Sequence, residues 1–91
     1  MKDLFKALND PTRRAILDLL KDKELAAGEI AEAFDISWPS ISHHLEILKR
    51  AELVTATRDG RFIHYALNTT VLEDAVQWML ALINTDTEEA P

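Results

Sequence analysis

Hydroxyl and imidazole side chains are concentrated in one short segment, where Ser40, Ser42 and His43 lie within four residues of one another. A hydroxyl group and a neutral imidazole can each donate and accept hydrogen bonds, which suits them to the edges of base pairs in the DNA major groove. The same residue types also occur in nucleophilic catalysis and in metal sites. The elements that position these side chains decide among the three kinds of chemistry.

The serines and histidines fall on a predicted helix over about residues 38–51, because Ile41, Leu45 and Leu48 recur at helical spacing and would face inward. Ser37 precedes this helix as a good N-cap. At about 100° per residue, the opposite face is mostly polar. That face comprises Pro39, Ser40, His43, Glu46, Ile47 and Arg50, with Ser42 and Lys49 on one flank. Base-edge recognition is one interpretation of this face, and an ordinary solvated helix face is the alternative.

Neither catalysis nor metal binding is favoured by the spacing of these residues. Neighbours on a helix point about 100° apart, so Ser42 and His43 do not form a nucleophile and base pair, and no third group orients the imidazole. His43 and His44 diverge in the same way, while His64 falls in a predicted strand. Cysteine is absent, and the chain lacks a glycine-rich phosphate loop. We therefore predict no enzyme, no cofactor and no metal site, and interpret His44 as a packing or hydrogen-bonding residue.

The segments before this helix are also predicted to be helical. Apolar residues within the range 4–8 mark a short first helix, and Asp10 can cap a second helix that begins at Pro11. A third short helix is predicted over residues 26–34, followed by a tight turn. Two short helices joined by a tight turn form a helix-turn-helix.

Two β-rich runs follow, over residues 53–57 and 62–67, and the Asp-Gly pair between them is a strong hairpin signal. Arg58 and Arg61 would flank a two-residue turn, which suits their guanidinium groups to backbone phosphates or to a minor groove. A charged hairpin tip is also common in proteins that bind nothing there. A hairpin directly after a helix-turn-helix is the order of a winged helix.

A final helix is predicted to begin near Asn68 or Thr69, with apolar residues at three- and four-residue spacing. These residues are Leu72, Ala75, Val76, Met79, Leu82 and Ile83, with Trp78 beside them. The stripe either closes the core or forms an interface with a second copy. Residues 1–84 are therefore predicted to form one winged helix-turn-helix domain, mainly α with a small β-hairpin, in which four helices precede two strands and a fifth helix. An acidic tail over residues 85–91 is predicted to be disordered.

The net charge of −6 argues against a nucleic-acid partner, but its distribution weakens that objection. Residues 36–67 hold four Lys and Arg against three Asp and Glu, whereas residues 68–91 hold none against five. The helix and hairpin could therefore face phosphate while the acidic end points away. With 47% hydrophobic residues and no apolar run longer than Trp78 to Ile83, the chain is expected to be one cytoplasmic domain without a membrane span.

Several of these segments together resemble the ArsR/SmtB family of small dimeric repressors, over about residues 3–84. The segments are Phe5-Lys6-Ala7-Leu8-Asn9-Asp10-Pro11-Thr12-Arg13-Arg14-Ala15-Ile16-Leu17, Ile36-Ser37, Ser40-Ile41-Ser42-His43-His44-Leu45 and the hairpin from Arg58 to Tyr65. The resemblance implies a homodimer of winged helices that binds a two-fold symmetric, double-stranded DNA operator and represses transcription. The expected DNA contacts are Trp38, Ser40, Ser42, His43, Lys49, Arg58, Gly60 and Arg61. The expected dimer interface, on the first and last helices, consists of Leu4, Phe5, Leu8, Leu72, Val76, Met79 and Ile83.

Within that family, residues 27–31, 40–45 and 67–72 resemble the SdpR-type autorepressors, which share the fold of metal sensors but lack their metal ligands. This resemblance implies that the chain represses its own operon and is released when a membrane immunity-type protein sequesters it. Two positions depart from the family pattern. Trp38 stands where the family usually has Gln or Lys, and Glu52 stands where relatives commonly end the helix with glycine.

A function of a different class is left open by the unusual tryptophan and by the acidic net charge. A winged helix can also serve as a protein-protein adaptor, and here the face formed by Trp38, Ile47 and Arg50 would bind the partner. Binding to DNA from the upstream region of its own gene, measured at two salt concentrations, separates the two hypotheses.

Overall fold

The helices and strands of the described residues follow one another in the order of a winged helix. A computed structural model describes residues 1–84, and the tail predicted over residues 85–91 lies outside this range. The helices are α1 (Lys2–Leu8), α2 (Pro11–Leu19), α3 (Ala27–Glu32), α4 (Trp38–Arg50) and α5 (Thr70–Ile83). The strands are β1 (Leu25–Ala26), β2 (Val54–Asp59) and β3 (Phe62–Leu67).

The turn between α1 and α2 is specified by Asp10 and Pro11. Pro11 occupies the first turn of α2, where a missing N–H group has no cost. The Asp10 carboxylate accepts a hydrogen bond from the backbone N–H of Arg13 at 3.0 Å. The predicted N-cap is therefore confirmed, and it fixes the residue at which α2 begins.

The strand β1 corrects the prediction for the third helix. Leu25–Ala26 pairs antiparallel with the middle of β3, so α3 is shorter than the helix predicted over residues 26–34. The Glu29 carboxylate accepts a hydrogen bond from the backbone N–H of Ala26 at 2.8 Å, which caps the start of α3. The small sheet consequently has three strands rather than the two of a simple hairpin, because β3 offers its second edge to Leu25–Ala26.

The predicted hairpin is formed by β2 and β3, and β3 lies at the centre of the sheet order β1-β3-β2. Asp59 pairs with Phe62, so the two-residue loop is Gly60-Arg61 and lies one residue later than predicted. Gly60 has a φ of 65°, in the left-handed region that favours glycine. Glycine at the first loop position is the preference of a type II′ turn, whose twist matches the flanking strands.

The connection from α4 to the sheet is held by backbone hydrogen bonds around Glu52, which has a φ of 61° although it is not glycine. The N–H of Glu52 donates to the carbonyl of Lys49 and the N–H of Leu53 donates to that of Leu48, both at 3.0 Å. These two bonds form a Schellman motif. The Asn68 backbone N–H donates to the Leu53 carbonyl, and its side-chain amide donates to the Glu52 carbonyl, both at 2.9 Å. The end of α4 is therefore tied to the chain that leads into α5.

The hydrophobic core lies between the first four helices and the sheet. The predicted inward stripe of α4, Ile41, Leu45 and Leu48, is fully buried in it. In α5 only Ala75 is buried, while the residues from Val76 onward are exposed. Among residues 1–84, no helix has the length and apolar character to cross a membrane.

Candidate nucleic-acid interface

The N-terminal end of α4 leaves few backbone donors free. Ser37 caps the helix by accepting the N–H of Ser40 at 3.3 Å, and its hydroxyl also donates to the Ser40 hydroxyl at 3.1 Å. The N–H of Ile41 donates to the Ser37 carbonyl, and Pro39 has no N–H group. Among the first four helical residues, only Trp38 keeps a backbone N–H without a partner in the described chain. Recognition of a ligand at this end must therefore rely on side chains.

The outward face of α4 presents its hydrogen-bonding groups to solvent. Ser40, Ser42, His43 and Lys49 are all exposed. Within residues 1–84, neither Ser42 nor His43 makes a hydrogen bond that would occupy its side chain. The only aromatic neighbour of His43 is His44, with ring centroids 6.1 Å apart within the described range. The two side chains expected to contact base edges are therefore available.

Arg13 holds the other side of α4 in place, and the sequence analysis did not identify this role. Arg13 is only 9% exposed, and its guanidinium donates to the Ala7 carbonyl at 2.8 Å and to the Lys6 carbonyl at 3.1 Å. Both carbonyls lie at the end of α1, where helix carbonyls lack partners within the helix; the Lys6 carbonyl also accepts the backbone N–H of Asn9 at 3.2 Å. Its Nη1 atom also lies 3.2 Å from Nδ1 of His44. Because a guanidinium only donates, Nδ1 accepts and the proton of the neutral imidazole lies on Nε2.

This cluster confirms His44 as a hydrogen-bonding residue and joins α1, α2 and α4. His44 Nδ1 also lies 3.9 Å from the Asp10 carboxylate. The backbone hydrogen bond from Arg13 lowers the pKa of Asp10 below its ordinary value, and the charge of the Arg13 guanidinium acts in the same direction, whereas burial opposes both. The outward face of α4 thus belongs to a helix whose inner side is held in place by both apolar and polar contacts.

The tip of the hairpin carries the expected basic residues. Arg58, Gly60 and Arg61 are exposed, and Arg61 lies within the loop itself rather than beside it. Phe62 follows directly and is 58% exposed. The exposure of Phe62 was not predicted, although the alternation of side chains along β3 indicates it. Tyr65 packs against the core, and Phe62 lies on the opposite face of the strand. The tip therefore combines guanidinium groups with an aromatic ring.

The expected interface residues differ in how much surface they offer. Leu4 is 1% exposed and belongs to the core of a single copy, so it has almost no surface for a partner. Leu8 and Leu72 are half-buried against that core, whereas Phe5 is exposed. Six exposed large apolar side chains lie together on α5, and they are Val76, Trp78, Met79, Leu80, Leu82 and Ile83. Ile83 is 72% exposed, so the surface continues to the end of the helix.

The face of α4 that would bind a protein partner, formed by Trp38, Ile47 and Arg50, is not a continuous exposed surface. Trp38 is exposed, but Ile47 packs partly against the core and Arg50 lies 3.6 Å from the Glu46 carboxylate one helical turn earlier. Ile47 therefore contributes to folding as much as to the surface.

Metal-binding and catalytic groups are not assembled within residues 1–84. No set of three His, Asp or Glu side chains in that range is placed to hold a metal ion. A cavity of about 310 Å³ lies between α1, the end of α4 and α5. Its lining residues are Met1, Lys2, Asp3, Leu4, Arg50, Ala51, Glu52 and Val71, which include no imidazole or hydroxyl group. This cavity therefore has no serine or threonine nucleophile and no histidine base among its lining residues.

Comparisons with known proteins agree with this geometry. Residues 10–56 match the sequence model of a family described as bacterial regulatory protein, arsR family. The transcriptional repressor SdpR of Bacillus subtilis (strain 168) is 62% identical over 84 residues, which cover 92% of this chain and 93% of that protein. The arsenical resistance operon repressor of Staphylococcus aureus is 41% identical over 97% of this chain and 84% of its own length.

A solved structure extends the similarity to three dimensions. The crystal structure of an ArsR family transcriptional regulator superposes with a TM-score of 0.87 at 26% identity. The superposition covers 98% of this chain and 92% of that one. These relatives are transcriptional regulators and not enzymes.

Proposed function

The chain belongs to the arsR family of bacterial regulatory proteins, and from this premise we propose that it is a cytoplasmic transcriptional repressor that binds a two-fold symmetric operator as a homodimer. The observation that carries the proposal is the outward face of α4. The Ser42 hydroxyl and the His43 imidazole on this face lack hydrogen-bond partners within residues 1–84, while the opposite face is buried in the core. A polar face held this rigidly is suited to hydrogen-bonding a fixed pattern of base edges.

In the proposed complex, α4 lies in the major groove and the hairpin contacts the neighbouring backbone or minor groove. Ser42 and His43 hydrogen-bond base edges, which gives sequence preference. Arg58 and Arg61 lie at the hairpin tip and neutralise phosphates, which gives affinity without sequence information. Lys49 adds a third cation on the flank of α4. The acidic residues of α5 lie on a different element from these cations, so the negative net charge is compatible with DNA binding.

The proposed homodimer uses the exposed surface of α5 together with Phe5 of α1. Six large apolar side chains on α5 are exposed in the single copy, and covering such a surface is favourable at about 25 cal/mol per Å² of apolar area. A two-fold dimer would place two copies of α4 about one helical turn of DNA apart, roughly 34 Å. The operator would then consist of two inverted half-sites.

Autorepression and release are the finer parts of the proposal, and they rest on the resemblance to the SdpR-type repressors. A reporter driven by the chain's own upstream region should be silenced when the chain is expressed. Release by a membrane immunity-type protein predicts that, in a culture where repression has been lifted, the chain moves to the membrane fraction. A chain that leaves the reporter active would contradict autorepression, and one that stays in the same fraction would contradict sequestration.

The decisive experiment is a titration of the purified chain against a duplex from its own upstream region and against a shuffled duplex of equal composition. The proposal predicts tighter binding to the upstream duplex and a linear fall of log K with log salt. Light scattering on the same sample should give twice the 10.3 kDa mass of one chain. Equal and salt-insensitive binding to both duplexes would favour the adaptor hypothesis.

A further inference from the structure

Trp38 carries a large, mostly apolar side chain and is the first residue of α4. No intramolecular hydrogen bond or core contact of residues 1–84 involves its indole. The side chain is 52% exposed, and neither it nor the neighbouring Ile36 packs against the hydrophobic core. Its indole N–H makes no hydrogen bond within residues 1–84. The ring therefore contributes little to folding, and a role at the surface is open to it.

The position of Trp38 directs its ring toward the same ligand as the rest of the helix. Trp38, Ser42 and Lys49 share one flank at helical spacing, so an apolar ring, a hydroxyl and a cation follow one another along α4. Side chains of a helix tilt toward its N-terminus, so the first helical residue projects beyond the end of the helix. In a helix-turn-helix, the N-terminal residues of the second helix contact base edges.

The indole N–H can donate to only one acceptor, and only one feature of the major groove suits the apolar ring of an exposed indole. The base edges present N7, O6, O4 and amino groups, and covering any of these without a hydrogen bond is costly. The exception is the C5-methyl group of thymine, which is apolar and projects into the groove. Only one backbone N–H is free at this end of α4 within the described residues. A DNA phosphate would therefore be bound only weakly there, and the groove next to the Trp38 ring stays open to a base.

We propose that Trp38 recognises the methyl group of a thymine in each half-site, and so contributes to the sequence preference of α4. The inference rests on the proposed function, because it places α4 in the major groove. It predicts that removing one methyl group weakens binding about fourfold, and that removing it from both half-sites weakens binding about sixteenfold.

The experiment starts from a 30-base-pair duplex that the wild-type chain selects from a random library. Each thymine is replaced in turn by deoxyuridine, which lacks only the methyl group and keeps the pairing edge and O4. The series is titrated against the wild type, Trp38→Phe, Trp38→Gln and, as a control at the hairpin tip, Phe62→Gln. Circular dichroism checks that each variant is folded.

The expected result is one thymine per half-site whose methyl group matters to the wild type, to Trp38→Phe and to Phe62→Gln, but not to Trp38→Gln. Equal sensitivity in Trp38→Gln would overturn the inference, and so would a series without any sensitive thymine. If Trp38→Phe behaves like Trp38→Gln, the indole N–H rather than the apolar ring is important, and the inference also fails. Failure of the wild type to select any sequence would instead remove the proposed function, and this inference with it.

Discussion

The helices α4 and α5 are nearly equal in length, with 13 and 14 residues, yet they expose opposite kinds of surface. In α4 the apolar stripe of Ile41, Leu45 and Leu48 is buried, and Ser40, Ser42 and His43 face solvent. In α5 only Ala75 is buried, and the apolar residues from Val76 onward face solvent. The comparison teaches that the chemistry of an exposed face, rather than amphipathicity as such, indicates the class of partner: base edges for α4 and a second copy for α5.

The largest effect is expected when a charge is placed on the apolar face of α5. Val76→Glu or Met79→Glu would bury an unpaired carboxylate in the proposed interface, so each variant should be monomeric. Operator affinity should fall by about a hundredfold or more, because a monomer loses the second half-site. Light scattering and a titration with operator DNA measure the two effects.

Gln77→Glu provides the matched control for this change, because Gln77 is exposed on the same helix but lies off the Val76 and Met79 stripe. It should remain dimeric. A Val76→Glu chain that still scatters as a dimer would mean that α5 is not the interface, and the contrast with α4 would lose its explanation.

On α4, replacing the hydrogen-bonding groups should affect specificity while the dimer persists. Ser42→Ala or His43→Ala should each cost about 1 to 3 kcal/mol on the operator and leave random DNA nearly unchanged. Both side chains are exposed, so the fold should be retained and circular dichroism should show it. Equal losses on operator and random DNA would remove the support for base recognition by α4.

The hairpin tip should fail in a third way. Replacing Arg58 and Arg61 by alanine should weaken operator and random DNA together, because phosphate contacts carry no sequence information. The salt dependence should become shallower by about one unit of log K per log salt for each lost contact. Insertion of an arginine into a narrow minor groove would add some preference for DNA shape. An unchanged salt slope would exclude phosphate contacts from the tip.

A smaller effect is expected from the cap that positions α2 beneath α4. Asp10→Ala should lower the free energy of unfolding by about 1 kcal/mol at neutral pH. Because the pKa of Asp10 is lowered from 3.8 in the folded chain, its stabilising effect is complete above pH 3.8 and is lost as the pH falls through the folded pKa. Urea unfolding at pH 7 and at pH 3 should therefore show a smaller difference between wild type and variant at pH 3. If the difference in unfolding free energy between wild type and variant is the same at both pH values, the ionised carboxylate of Asp10 is not what stabilises the cap.

No effect at all is expected from metal ions. Zn²⁺, Ni²⁺, Cu⁺ or a chelator should leave operator affinity unchanged, because tight sites for these ions require several converging ligands. Stoichiometric binding of one of these ions together with a shift in operator affinity would contradict the prediction and would place a sensor in one of the two faces.

The sequence predicted those elements that are determined locally. The stripe of α4 follows from helical spacing alone, and the Asp10 cap follows from the geometry of a helix end. The sequence did not predict β1, because two residues are too few to show strand periodicity, and their pairing depends on β3 forty residues later. It located the hairpin turn but placed it one residue early, since both Asp-Gly and Gly-X pairs fit two-residue loops.

The candidate site divides in the same way. Exposure of Ser42 and His43 could be predicted from the helical period. Burial of Arg13 could not, because its partners are the carbonyls of Lys6 and Ala7 and a ring 31 residues away, which meet only in the folded chain. Leu4 was predicted to lie in the dimer interface, but it is buried in the core of one copy, whereas the adjacent Phe5 is exposed. The sequence does not distinguish these two positions, because burial depends on how α1 packs in the folded chain.

The hydrogen bonds that surround Glu52 and Asn68 have a mechanical consequence. They join the residues that end α4 to Asn68, which lies two residues before the start of α5, so α5 is anchored at the C-terminal end of α4. Rotating one helix against the other would break the Asn68 bonds to both Glu52 and Leu53. In a dimer held through α5, the fixed angle between α4 and α5 within each copy would determine the distance between the two copies of α4. The spacer between the half-sites of the operator should therefore tolerate little change in length.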